Sequence, residues 1–247
     1  MKKRMLSIVT MAILVTVMLA GCKKKDVLIV GTEAGFPPYE YTEGTKVVGI
    51  DIDIVQAIAD EMGKELEVKN MDFEGALLAV QNGTVDLVAA GLSITEDRDK
   101  LMDFSIEYAE ANEVIVINKD NPVVATVDAE GLADKIIGVQ QGNTADWFVE
   151  DNVAYKEVKR YTKFAQAAED LKLSKIDCII MDELPAQKLV AGNPELEIMD
   201  GILFTDKYAL AVDEGNKELQ DEINKVLQDL KDSGKIEEFS QNHLNID

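Results

Sequence analysis

The sequence predicts an α/β protein made of two open, mostly parallel sheets, each flanked by helices. Two observations carry that expectation. From residue 26 onward, short apolar runs alternate with helix-patterned segments, the signature of βαβ units. The chain also repeats itself at an offset of 91 residues: Val85-Asp86-Leu87-Val88 corresponds to Ile176-Asp177-Cys178-Ile179, and a helical pattern precedes each copy. Gly91 then falls opposite Asp182, each just beyond a strand. Ligands on such sheets bind outside the carboxyl ends of the strands, so two facing edges make an interdomain cleft.

In chain order, the first residues read as an address. Met1-Lys2-Lys3-Arg4 is basic and residues 5–20 form an apolar run too short for a lasting membrane span. Residues 1–21 are expected to be a signal peptide. Leu19-Ala20-Gly21-Cys22 resembles the bacterial lipobox, which implies a lipidated Cys22 at the mature N-terminus. Residues 22–25 would be a lipid-anchored linker, with Lys23, Lys24 and Lys25 beside an anionic lipid surface. With Cys22 acylated, Cys178 has no partner for an intramolecular disulfide and reads as a buried thiol in an apolar strand. The formal charge of −22 argues against a nucleic-acid partner. Loss of the leader removes three basic residues and deepens it to −25.

Residues 27–30 read as a strand that runs into Gly31-Thr32-Glu33-Ala34-Gly35-Phe36-Pro37-Pro38-Tyr39. This irregular loop is placed to present Glu33 and Phe36 at a strand end. Residues 41–49 suggest a hairpin around Glu43-Gly44. Asp51 is expected to cap a helix with the apolar stripe Ile54, Val55, Ile58, Ala59 and Met62, stopped by Gly63. A strand at 66–68 follows, then a helix at 73–82 capped by Asp72 and ended by Gly83. Residues 85–90 form an apolar strand broken only by Asp86, as in the interior of a parallel sheet.

The stretch Gly91-Leu92-Ser93-Ile94-Thr95 should open into a helix capped by Thr95 and carrying Arg98. Helix-start amides, the Ser93 hydroxyl and a guanidinium fork together suit a carboxylate. On spacing alone, a surface ion pair of Arg98 with Glu96, Asp97 or Asp103 accounts for it equally well. Beyond a strand at 111–117 and a polar break at 118–122, a strand at 136–139 leads through Gln140-Gln141-Gly142-Asn143-Thr144 into a helix bearing Trp147 and Phe148. Helices at 164–173 and 185–190 surround the strand at 176–181. Strands at 196–199 and 208–212 and an amphipathic helix at 217–231 complete the pattern.

Taken together, these segments resemble the family 3 extracellular solute-binding proteins, the polar amino-acid receptors of ABC importers. The likeness rests on Gly31-Thr32-Glu33 with Phe36-Pro37-Pro38-Tyr39-Glu40, on residues 48–54, on Gly91-Leu92-Ser93-Ile94-Thr95 with Arg98, on Asp103-Phe104-Ser105, on Gly138-Val139 with Gly142-Asn143-Thr144, and on Asp182-Glu183. These occur in the family's order over nearly everything after residue 26. The resemblance implies a two-lobed, type II periplasmic-binding-protein-like fold hinged by two crossing strands. Lobe 1 would comprise 26–113 and 206–247 and lobe 2 would comprise 114–205, with crossings near 113–117 and 205–211. It also implies a monomeric receptor outside the cytoplasm, tied to the cell membrane through Cys22, that binds an L-amino acid and delivers it to an ABC permease without a cofactor or metal.

By the same resemblance, Arg98 and Ser93, with the backbone of Asn143 and Thr144, would hold the ligand α-carboxylate. Gly91 and Asp182 would take the α-ammonium, and Phe36 and Phe73 would wall the side chain. Leu92 belongs to the same loop. Glu33 and Gln140 would face the ligand side chain. Glu33 leans toward a basic ligand (lysine, arginine or ornithine), while Gln140 suits glutamine or another neutral polar one. Relatives with this architecture include dehydratases of cyclic acids, but the sole histidine, His243, lies in the polar tail. A sensor on the same fold is a further alternative.

Overall fold

A computed structural model describes residues 26–244. The leader, Cys22 and the linker at 22–25 lie outside them. The chain begins with β1 (Val27–Thr32), β2 (Gly35–Phe36), β3 (Glu40–Glu43) and β4 (Lys46–Val48). The last three form a small antiparallel sheet around Glu43-Gly44. Then come α1 (Ile50–Glu61), β5 (Glu65–Asn70), α2 (Phe73–Gln81), β6 (Leu87–Val88), β7 (Met102–Phe104) and β8 (Ala109–Asn118). These are followed by β9 (Ile136–Gln140), α3 (Thr144–Asn152), β10 (Glu157–Tyr161), α4 (Phe164–Lys172), β11 (Cys178–Asp182), α5 (Glu183–Ala191) and β12 (Leu196–Ile198). The chain continues through β13 (Phe204–Tyr208), β14 (Ala211–Asp213), α6 (Lys217–Asp232) and α7 (Lys235–Leu244).

Two mixed sheets form the two lobes. In the first, ordered β5-β1-β6-β14-β7, the first three strands are parallel and β14 is antiparallel to β6 and β7. In the second, β10, β9 and β11 are parallel, while β8 pairs antiparallel with β11, β12 and β13. The 91-residue repeat is structural. β6 lies parallel to β1 as β11 lies parallel to β9, and the polar residue that opens each copy has the same task. The Asp86 carboxylate accepts the Ile29 N–H, and the Asp177 carboxylate accepts the Ile136 N–H, both at 2.7 Å. The aspartate that breaks each apolar run thus satisfies the neighbouring strand's backbone donor.

Helix faces follow the apolar stripes. α1 buries Ile54, Val55, Ile58 and Ala59, and α6 buries Leu219, Ile223, Val226 and Leu227, four residues of one face each. One buried cluster contains residues of both lobes, from Leu28 and Ile54 to Phe164 and Met181. Two others pack the remaining sheet faces, around Ala76 and Leu92 in the first lobe and around Ile115 and Ile137 in the second.

Several expectations need correction. Asp51 does not cap α1: the helix starts at Ile50 behind Gly49, and the buried Asp51 carboxylate instead accepts the Gly91 N–H at 2.9 Å and the Tyr108 hydroxyl at 2.6 Å. No helix carries Arg98. Thr95 Oγ1 does accept the Arg98 N–H at 3.2 Å, but residues 96–101 make hydrogen-bonded turns and then enter β7. The strand expected at 208–212 is two strands in different sheets, joined through Ala209 and Leu210. Ala109 to Glu113 of β8 pairs with β13, while Glu113 to Val116 pairs with β11. α7 had no counterpart in the sequence reading.

Candidate functional site

The first lobe brings three segments to the cleft. The loop after β1 supplies Glu33 and Phe36, the start of α2 supplies Phe73, and the segment after β6 supplies Ala90, Gly91, Ser93 and Arg98. The second lobe answers with Gln140 at the end of β9, Asn143 and Thr144 at the start of α3, and Asp182 at the end of β11. All these residues line one cavity between the lobes, together with Glu40 and Glu113. Leu92 does not join them. It is fully buried in the first-lobe cluster, and its carbonyl accepts the Ala209 N–H at 3.0 Å.

Two glycines shape the walls. Gly91 has φ +51, and a Cβ there would come within 2.6 Å of the Phe36 ring. Gly142 has φ +76, and its Cβ would meet the Glu74 side chain at 2.8 Å, across the cleft. Both conformations favour glycine, and both positions let the opposing surfaces approach.

Arg98 is only 3% exposed. Its Nη1 donates to the Ser93 carbonyl at 2.7 Å and its Nη2 to the Gly142 carbonyl at 3.0 Å, so one fork grips both lobes. The guanidinium lies over the rings of Phe73 at 5.3 Å and Trp147 at 4.8 Å, cation–π contacts with one ring from each lobe. Burial pushes the Arg98 pKa down to about 10, opposed by Asp206 and Asp182, so it stays charged at neutral pH. Its buried Nε has no hydrogen-bond partner among the described residues. A guanidinium has five N–H donors, so this one retains capacity for an incoming anion. Thr144 heads α3, where helix-start N–H groups lack intrahelical partners. The Asn143 side chain caps that helix through the Asp146 N–H at 2.9 Å, while the Asn143 N–H donates to the Gln140 carbonyl at 3.3 Å.

Elsewhere in the cavity the chemistry is acidic. Glu33, 2% exposed, accepts from Gln140 Nε2 at 3.3 Å and faces Lys163 Nζ at 3.4 Å, and both contacts cross the cleft. Burial raises its pKa, although Lys163 and Gln140 work against the rise. Burial also raises Glu40 well above the carboxylate range, helped by Asp51 and Glu33. Asp182, 6% exposed, accepts a hydrogen bond from the Tyr208 hydroxyl, and burial pushes its pKa up to about 7. Phe36 stacks on Phe164 of the second lobe with ring centroids 6.0 Å apart. Gln141 donates to Glu74 at 2.6 Å across the cleft, so the lobes are closed on each other.

Sequence reasoning missed Glu40, Glu113, Lys163, Trp147 and Asp206. Two carried a signal. Glu113 is the acid that directly precedes the apolar run 114–117, as Asp86 interrupts its own strand, and Trp147 is the chain's single tryptophan. Lys163 and Asp206 had none, because their partners come from the other lobe or from distant chain. His243 is away from the cavity: its ring bonds Asp53 at 3.0 Å and Tyr41 at 3.1 Å, tying α7 to the first lobe.

Two α/β lobes closed over a polar, charged cavity at their strand ends define a two-lobed solute-binding protein. The profile of the bacterial extracellular solute-binding proteins, family 3, matches residues 28–246, and the chain belongs to that family. It is 31% identical over 227 residues to the arginine-binding extracellular protein ArtP of Bacillus subtilis (strain 168), covering 89% of this chain and 86% of that protein. Among solved structures, the amino acid ABC transporter substrate-binding protein AbpA of Streptococcus pneumoniae Canada MDR_19A, bound to L-arginine, is 32% identical with a TM-score of 0.83, covering 88% and 94% of the two chains. An ancestral arginine-binding protein bound to glutamine is 37% identical with a TM-score of 0.83, covering 89% and 98%. Among the described residues, no helix is long and apolar enough to cross a membrane.

Proposed function

We propose that this protein is an extracytoplasmic receptor that closes on a free L-amino acid, favours a basic one, and delivers it to the permease of an ABC importer. The observation that carries the reading is the acid-rich cavity lining, where Glu33, Glu40, Glu113 and Asp182 stand against the single guanidinium of Arg98. Burial favours the protonated form of these acids, and the extra positive charge of a basic amino acid favours their ionisation where a net-neutral zwitterion does not. The relatives named above for arginine support the same choice.

In this reading the free donors of Arg98, the Ser93 hydroxyl and the N–H of Thr144 hold the α-carboxylate beside Asn143. Asp182 and the Gly91 carbonyl take the α-ammonium. Phe36 and Phe73 wall the aliphatic stem, and Glu33 with Gln140 receives its charged end. Lobe 1 is 26–113 with 206–247 and lobe 2 is 114–205. The ligand closes them by contacts made only in the closed state, a population shift that the permease reads. The signal peptide at 1–21 and a lipid on Cys22 keep this monomer at the outer face of the cell membrane.

One observation favours a second reading. Lys163 already sits 3.4 Å from Glu33, which leaves that end of the cavity less negative and suits glutamine. A thermal-shift screen against the twenty L-amino acids decides between them, because a ligand at about a hundred times its Kd stabilises by about 2.7 kcal/mol. Arginine, lysine or ornithine should give the largest shifts. A larger shift with glutamine selects the second reading, and no shift with any of them removes the receptor assignment.

A further inference from the structure

Glu113 lies on β8 directly opposite Asp182 on β11, as register partners of an antiparallel pair. Side chains of directly opposed residues share a face of the sheet, and both of these line the cavity. Glu113 is 1% exposed. Its Oε1 has only a long contact from Thr144 Oγ1, at 3.5 Å, and its Oε2 receives no hydrogen bond from any described residue. Directly opposed residues of an antiparallel pair have Cβ atoms about 4.5–5.5 Å apart, so the two carboxyl groups are neighbours in the cavity wall.

The surroundings do not neutralise this pair. Asp206, from β13, adds negative charge; Tyr208 donates its hydroxyl to Asp182; Tyr39 and Glu40 face it from the first lobe. Among the described residues, Arg98 is the buried cation that Asp182 and Asp206 act on. Two neighbouring buried carboxyl groups repel each other when both are ionised, which favours keeping one of them protonated. An orphaned, fully buried oxygen aimed into a binding cavity asks for a donor, and a primary ammonium has three.

We propose that Glu113 is a second carboxylate of the ammonium subsite, sharing one proton with Asp182 in the unliganded protein and releasing it to solvent as a ligand's primary ammonium enters. This rests on the amino-acid-receptor reading and adds to it that uptake is coupled to proton release. Burial, with Asp182 and Asp206 nearby, raises Glu113 well above its ordinary value, which favours the protonated form before binding. Because the bound state holds fewer protons, affinity rises with pH until the free pair has ionised, by up to about tenfold per pH unit for one proton released.

The test is calorimetry of L-arginine in buffers of different ionisation enthalpy, across about pH 5.5 to 8, for the full protein and its E113Q variant. The wild type should release close to one proton per ligand near the acid end, with the matching slope in affinity. E113Q keeps the shape and an acceptor oxygen but removes the shared proton, so its release and slope should fall to near zero. A second measurement needs no variant: the α-hydroxy analogue of arginine, which has no ammonium, should leave the proton in place in the wild type. Equal proton release by wild type and E113Q, or by the amino acid and its hydroxy analogue, overturns the proposal while amino-acid binding stands. Absence of binding by any amino acid in the thermal-shift screen overturns both.

Discussion

In the first sheet β6 runs beside β1 and Asp86 accepts the Ile29 N–H; in the second β11 runs beside β9 and Asp177 accepts the Ile136 N–H at the same 2.7 Å. Beyond these matching clamps the two copies diverge. The first passes into Gly91, in a left-handed conformation, and its nearest acid, Asp51, sits behind the backbone, neutralised in part by the Gly91 N–H and the Tyr108 hydroxyl. The second ends on Asp182, whose carboxyl group faces the cavity. At these two matching strand ends the first lobe therefore leads to a guanidinium and the second to an acid. A repeated scaffold has become two unlike halves of one receptor, as a ligand with opposite charges at its two ends requires.

Arg98→Ala strikes the lobe-1 half of that contrast and has the largest expected effect. It removes the cation that lines the cavity beside four acids and the hydrogen bond to the Gly142 carbonyl. Loss of one partner of a buried charge pair costs about 3–5 kcal/mol, so calorimetry should show amino-acid affinity falling by roughly two to four orders of magnitude. Unchanged affinity would mean that the two ends of the cavity are not divided as described.

The acids themselves give the next prediction. Burial raises Asp51 from 3.8 to about 6 and Asp182 from 3.8 to about 7. A carboxyl whose folded pKa is raised contributes stability that is full below its unfolded value and lost as pH climbs through the folded value. Surface acids such as Asp103 and Asp170, lowered by Lys217 and Lys175, act in the opposite sense, but their contribution is already complete above the unfolded carboxylate range. The ligand-free protein should therefore melt at a higher temperature near pH 5 than near pH 8, with each strongly shifted acid responsible for on the order of 2 kcal/mol. Asp51→Asn and Asp182→Asn should each flatten the curve. A profile that rises from pH 5 to 8 would refute the account of both strand ends.

A smaller effect tests the likeness rather than the contrast. Asp86→Ala and Asp177→Ala each strand one backbone donor, at an expected cost of about 1–3 kcal/mol. Denaturant unfolding should show similar losses for the two, since their geometry is the same. A marked inequality would show that the repeat in sequence does not carry equal weight in the fold.

These comparisons also mark what the sequence could disclose. The alternation of strands and helices, the paired aspartates and the strand ends at Gly91 and Asp182 depend on local pattern, and local pattern is legible. Cavity residues met in the family's motifs, such as Arg98 and Asn143, were legible for the same reason. What escaped depends on distant chain. Asp51 reads as a helix cap until Gly91 and Tyr108 arrive beside it. The segment at Arg98 reads as a helix because Thr95 caps it, yet β7 begins within a few residues and pairs with β14, which holds it to turns. Glu113 looks like the edge of an apolar strand until register sets it opposite Asp182. Lys163 and Glu33 belong to different lobes, and no spacing along the chain announces their meeting.

Trp147 provides the smallest and most direct probe of how the two halves meet. It packs over the Arg98 guanidinium from the second lobe, as Phe73 does from the first. Trp147→Leu keeps apolar cover but removes the ring's electrostatic attraction, which is worth about 0.5–1 kcal/mol where partly exposed and about 2 where desolvated. Amino-acid affinity should therefore weaken by roughly twofold to thirtyfold, far less than for Arg98→Ala. The same ring is the protein's single tryptophan, so its emission reports the one place where a lobe-2 aromatic touches the lobe-1 cation. Saturating ligand should change that emission as the lobes close. An unchanged spectrum together with unchanged affinity in Trp147→Leu would show that the second lobe grips Arg98 through the Gly142 carbonyl alone, and that the ring adds nothing to closure.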